Sequence, residues 1–146
     1  MKIRVLNTSD QRVKSDAARL ARTLNQFLLN YLPRFDLRRS ALSQEPPAIC
    51  VNVVLVDDHR IRELNRRFRK QDRPTDVLSF PLGAADLDTG EVVLGEIYVS
   101  RDRARAQARE NGVAYHNELK RLMLHGILHL LGFTHREMEP FYRNCL

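Results

Sequence analysis

His125-Gly126-Ile127-Leu128-His129-Leu130-Leu131-Gly132-Phe133-Thr134-His135 places three of the chain's five histidines within eleven residues. His125 and His129 are four apart, so on a helix their rings leave one face about a turn apart. Leu119, Leu122, Met123, Gly126, Ile127 and Leu130 supply the apolar positions of a buried helix, starting near Val113 or Tyr115 and ending at Leu131. Gly132 can end that helix in the left-handed conformation and turn the chain back. His135 then approaches the other two rings from a loop. Three converging imidazoles with a fourth position open form the ligand set of a catalytic rather than a structural zinc. Nickel and copper accept the same donors. One histidine on an apolar helix face is ordinarily a hydrogen-bonded core residue, but the triple spacing makes His125, His129 and His135 the expected ligands of one divalent ion. Gly126 stands where a helical zinc peptidase carries the glutamate base of H-E-x-x-H, which counts against proteolysis. His59 reads as a surface residue and His116 as a packing or surface residue.

Upstream, residues 3 to 6 form a first strand, and Ser15 caps a helix running to about Leu32, with Pro33 just beyond. Residues 34 to 47 are a polar connector. Ile49 to Val56 is a nearly continuous apolar run, suited to a strand buried on both faces. Asp57 or Asp58 caps the next helix, whose buried side is marked by Ile61, Leu64 and Phe68. Pro74 and Pro81 bracket a short strand, more at home on a sheet edge than in its centre. Residues 83 to 91 read as a mobile surface loop, Val92 to Val99 as the fourth strand, and Ser100 as the cap of a helix to about Asn111-Gly112. The expected fold is α/β (α+β): a single domain, residues 1–146, with one mixed four-stranded sheet covered by helices.

The formal net charge is +6, with 24 Lys and Arg against 18 Asp and Glu. That balance favours polyanions, nucleic acid first. Arg60, Arg62, Arg66, Arg67, Arg69, Lys70 and Arg73 fall within fourteen residues, answered by Glu63 and Asp72. A solvated helix face explains such a run equally well on its own; beside a hydrolytic metal it reads as a phosphate-backbone track. Two cysteines, Cys50 and Cys145, make no disulfide framework, and Cys50 reads as a buried thiol. No apolar run has membrane-spanning length and the N-terminus reads straight into a strand, so the expected location is cytoplasmic, without a membrane partner.

Pro74-Thr75-Asp76-Val77-Leu78-Ser79-Phe80-Pro81 and the three-histidine stretch, with Leu94-Gly95-Glu96-Ile97 between them, closely resemble the endoribonuclease YbeY family of ribosomal-RNA maturation factors, from about Asn52 to His135. The resemblance implies a single-strand-specific, metal-dependent endoribonuclease, acting in 3′-end maturation of small-subunit ribosomal RNA and in ribosome quality control. It implies that the three histidines hold the metal, usually taken as zinc. The family's functional arginine matches Arg69 by position; a guanidinium can hold two phosphoryl oxygens as charge builds on them, although a salt bridge to Asp72 or Asp76 would be a structural use of the same side chain. Arg60, Arg66, Arg67, Lys70 and Arg73 would guide single-stranded ribosomal RNA, with the small subunit as the wider partner. The sequence departs from the family pattern at Thr134, where an aspartate is usual, and its C-terminus is shorter than the family's acidic helical tail, of which Glu137 and Glu139 look like remnants. Two other readings stand beside this one: a metal-dependent hydrolase of a different phosphoester or of peptides, and a non-catalytic ribosome-assembly factor with a structural metal.

Overall fold

A computed structural model describes residues 2–6, 11–31, 49–85, 88 and 90–145. The elements run β1 (Lys2–Leu6), α1 (Gln11–Tyr31), β2 (Ile49–Val56), α2 (Asp58–Arg69), β3 (Val77–Ala85), β4 (Val92–Ser100), α3 (Arg101–Asn111), α4 (Tyr115–Leu130) and α5 (His135–Cys145). They make a mixed α+β fold around one four-stranded sheet of order β1-β2-β4-β3. β1, β2 and β4 are parallel, and β3 is antiparallel to β4 at the edge.

The apolar run of β2 is central because both of its faces are covered. Val51, Val53 and Leu55 point into the larger core, with Leu24 and Leu28 of α1 and Leu122, Met123 and Ile127 of α4. Val54 and Val56 point the other way, into a smaller cluster with Ile61 and Leu64 of α2 and Leu78 of β3. Each fully buried aliphatic side chain of this kind contributes about 1.5–3 kcal/mol of transfer free energy. Asp57 is the N-cap of α2, its carboxylate accepting from the Arg60 N–H at 2.8 Å. Ser100 caps α3 in the same way, accepting from the Arg103 N–H at 3.2 Å. Cys50 is fully buried.

Several expectations are corrected. Helix α1 starts at Gln11, so Ser15 lies inside it: a capping residue is a weak local signal that a longer helix overrides. Leu32 and the connector at 34 to 47 lie outside the described residues. Pro81 does not close its strand. β3 runs on to Ala85, well into the stretch read as loop, because an edge strand need not donate at every residue and a register shift between Pro81 and Ala84 absorbs the irregularity. Phe68 is 56% exposed rather than buried: its ring meets Phe80 of β3 edge-on at the rim of the small core instead of entering it. A fifth helix, α5, follows the glycine turn. Among the described residues no helix is long and apolar enough to cross a membrane.

Gly126 has a packing reason of its own. A Cβ there would lie 2.6 Å from Ile97 Cγ2 and 3.2 Å from Ser79 Oγ, because α4 rides directly on the sheet at this point. A glutamate in the peptidase position would therefore be excluded by the sheet, whatever its chemistry. Gly126→Ala is expected to destabilise the protein by about 1–3 kcal/mol through overpacking, read as a lower midpoint in urea with an unchanged slope. A midpoint equal to wild type would show that α4 lifts freely from β4.

Candidate metal centre

The end of α4 is shaped by its glycine. Gly132 has φ +84°, its N–H donates to the His129 carbonyl, and the Phe133 N–H donates to the Leu128 carbonyl, both at 3.0 Å. These two bonds form a Schellman termination. They reverse the chain so that Thr134 becomes the cap of α5 and His135 its first residue, rather than a loop residue. Glu137 accepts from both the Thr134 N–H (2.7 Å) and its hydroxyl (2.9 Å), the carboxylate half of a capping box. Thr134 thus secures the turn that presents His135.

The three rings converge. Ligand nitrogens of His125, His129 and His135 all lie within 4.8 Å of one another. Nε2 of His125 and of His129 are 3.0 Å apart, and the His135 ring centroid is 5.4 Å from that of His125 and 5.0 Å from that of His129. His125 is half-buried, whereas the other two are exposed. Burial, reinforced by the neighbouring histidines, pushes the His125 imidazole down to about 4. His129 is lowered as well, by burial first, then by His135 and by the charge of Arg69. Imidazoles that resist protonation and crowd their ring nitrogens together suit a divalent cation. The donor set fits such an ion.

Tyr142 of α5 fixes the innermost ring. Its hydroxyl lies 2.6 Å from His125 Nδ1 and 3.6 Å from Met138 Sδ. An imidazole that offers its Nε2 lone pair to an ion carries its proton on Nδ1, where the phenol oxygen stands ready to accept it. Burial raises the tyrosine's own pKa and keeps its proton in place. Tyr142→Phe is expected to weaken zinc affinity about 10- to 100-fold, as losing a ligand's outer partner does, measured by competition with a chromogenic chelator. Unchanged affinity would remove Tyr142 from the site.

A polar network lies behind His125. Asp76 accepts from the Val77 N–H at 2.8 Å and from Gln107 Nε2 at 3.2 Å, while Arg121 Nε donates to the buried Glu118 carboxylate at 3.0 Å. The charges of Asp76 and Arg121 both act on His125, in opposite senses. Ser79 Oγ donates to the Gly126 carbonyl at 3.3 Å, tying β3 to α4. Sequence reasoning missed Tyr142, Glu118 and Arg121. Arg121 was within reach, since 121, 125 and 129 share one helical stripe.

Arg69 ends α2, exposed, with its charge felt at His129. Among the described residues it has no ion pair. Asp72 is taken by Arg62 in a two-pronged bond of 3.0 and 3.2 Å, and Asp76 by the partners above. Arg69 and Arg73 line a cavity of about 550 Å³ with Arg103, whereas Arg66, Arg67 and Lys70 line another of about 490 Å³ with Glu63. Arg60 is paired with Glu63 at 3.1 Å. His59 and His116 are exposed and apart from the centre.

The family model described as Endoribonuclease YbeY matches residues 5–142. A protein named Endoribonuclease YbeY from Aquifex aeolicus is 49% identical over 87 residues, covering 60% of this chain and 57% of that one. Its namesake from Carboxydothermus hydrogenoformans is 47% identical over 98 residues, covering 67% and 66% respectively. The chain thus spans somewhat under two thirds of the length of these curated relatives. A Thermotoga maritima protein solved in solution is 34% identical with a TM-score of 0.56, over 91% of this chain and 74% of that one.

Proposed function

The chain belongs to the endoribonuclease YbeY family, and on that premise we propose that it is a metal-dependent endoribonuclease that cuts single-stranded RNA, in one domain spanning residues 1–146. Its place would be 3′-end maturation of small-subunit ribosomal RNA and ribosome quality control, in the cytoplasm and in contact with the small subunit. The observation that carries the reading is the convergence of three imidazoles beside an arginine with no ion pair among the described residues. His125, His129 and His135 would hold the ion, with zinc preferred for an all-imidazole set. Such an ion supplies Lewis acidity for phosphodiester cleavage.

The chain's own residues do the rest. Tyr142, 2.6 Å from His125 Nδ1, would accept the Nδ1 proton and hold the tautomer that offers Nε2 to the ion. Arg69 would hold two oxygens of the scissile phosphate and act more strongly as charge builds on them. Arg73 and Arg103, from the same cavity, would contact a neighbouring phosphate, and Arg60, Arg66, Arg67 and Lys70 the backbone further along. Gly126 supplies no carboxylate base and seats α4 on the sheet instead, which disfavours peptide hydrolysis.

The test has two arms. Purified protein should cleave unstructured RNA and spare a duplex of the same sequence. In cells lacking the native protein, a variant with all three histidines replaced by alanine should fold, bind the small subunit and fail to restore 3′-end maturation. Restoration by that variant would assign the protein to ribosome assembly without catalysis.

A further inference from the structure

Helical spacing puts Ile61, Leu64 and Phe68 on one stripe of α2, yet their exposures are 0%, 6% and 56%. The aromatic that should close the small core stands instead in solvent, immediately before Arg69. It is not loose. Phe80 of β3 meets it edge-on, centroids 5.2 Å apart at 65°, and Phe80 meets Tyr98 of β4 at 5.7 Å and 80°. Phe80 and Tyr98 both pack on the α2-side core, so a row of rings rooted in the sheet steadies Phe68.

Its neighbours are cations. The Arg67 guanidinium carbon lies 5.3 Å from the ring centroid, and Arg66, Arg67 and Lys70 line a shared cavity in which Glu63 is the one acid. An exposed ring in an apolar setting would suit a protein partner; a rim of positive charge selects a polyanion. A flat ring beside guanidinium and ammonium groups is the chemistry that holds single-stranded nucleic acid, with bases on the aromatic face and phosphates on the cations. We propose that Phe68 is a stacking platform for a base of the single-stranded RNA, next along the strand from the phosphate at Arg69, with Arg66, Arg67 and Lys70 on flanking phosphates. The inference rests on the endoribonuclease reading and adds to it how the strand is gripped. It also accounts for single-strand preference, because a base in a duplex has no free face to offer.

The experiment is fluorescence anisotropy of a labelled, unstructured oligouridylate with the full zinc-loaded chain. Phe68→Ala should bind about 5- to 100-fold more weakly, the range seen for losing one stacked base. The slope of log K against log salt should stay the same, since no phosphate contact is lost. Phe68→Trp should restore affinity. Phe68→Leu, which keeps apolar packing without a π face, should not. Affinities of the alanine or leucine variants within about twofold of wild type would overturn the proposal while leaving the endoribonuclease reading intact. Self-association lost in Phe68→Ala at unchanged RNA affinity would overturn it in favour of a second copy of the chain. Failure of the wild type to bind the oligonucleotide would overturn the underlying reading, and the platform with it.

Discussion

His129→Ala should lose metal and lose RNA cleavage together, with activity falling roughly 10³-fold or more, as when one member of a catalytic unit is removed. The side chain is exposed, so its removal opens no cavity and the melting temperature without metal should stay near wild type. What goes is one of three ring nitrogens clustered within 4.8 Å, and a two-imidazole site holds a divalent ion poorly. Atomic emission on the purified variant should show a metal-to-protein ratio far below that of wild type. Full cleavage by a metal-free variant would place the chemistry elsewhere.

Arg69→Ala should behave differently: metal content unchanged, substrate affinity within a few-fold, and the chemical step slower by roughly 10²–10³, typical for losing one donor to a developing oxyanion. The reasons are its position and its lack of an ion pair among the described residues. Its charge reaches His129, while Asp72 is occupied by Arg62. Arg69→Lys should recover little, because an ammonium lacks the planar fork that spans two oxygens. Single-turnover rates with saturating enzyme separate the chemical step from binding. Wild-type rates in Arg69→Ala, alongside a dead His129→Ala, would leave the metal site standing and remove the arginine clamp.

What could be read from the sequence was local. The β2 run is apolar on both faces because it is central, and its pattern says so without reference to any other strand. Asp57 and Ser100 sit where the helices begin, and Gly132 where the chain must adopt positive φ. The three histidines follow from spacing plus that one turn. What was missed depends on distant packing. Helix α5 contains Pro140, ordinarily a helix breaker, but Met138 and Phe141 are 0% and 1% exposed against the main core, with Phe141 edge-on to Phe27 and Phe133. That burial sustains the helix and places Tyr142 against His125. Phe68 has the spacing of a core residue, but spacing does not reveal that its ring meets Phe80 edge-on at the rim of the small core and stays 56% exposed. Thr134 shows the reverse case. In isolation it is a departure from a motif; in place it caps the helix that carries the third histidine.

On the proposed reading, RNA cleavage depends on an ion held by the three histidines. The direct measurement is the metal content of the purified full chain, paired with its cleavage of single-stranded RNA before chelation, after chelation, and after zinc is restored. About one bound ion per chain, activity lost with chelator and regained with zinc, is the predicted result. Undiminished cleavage by protein shown to be metal-free would contradict it.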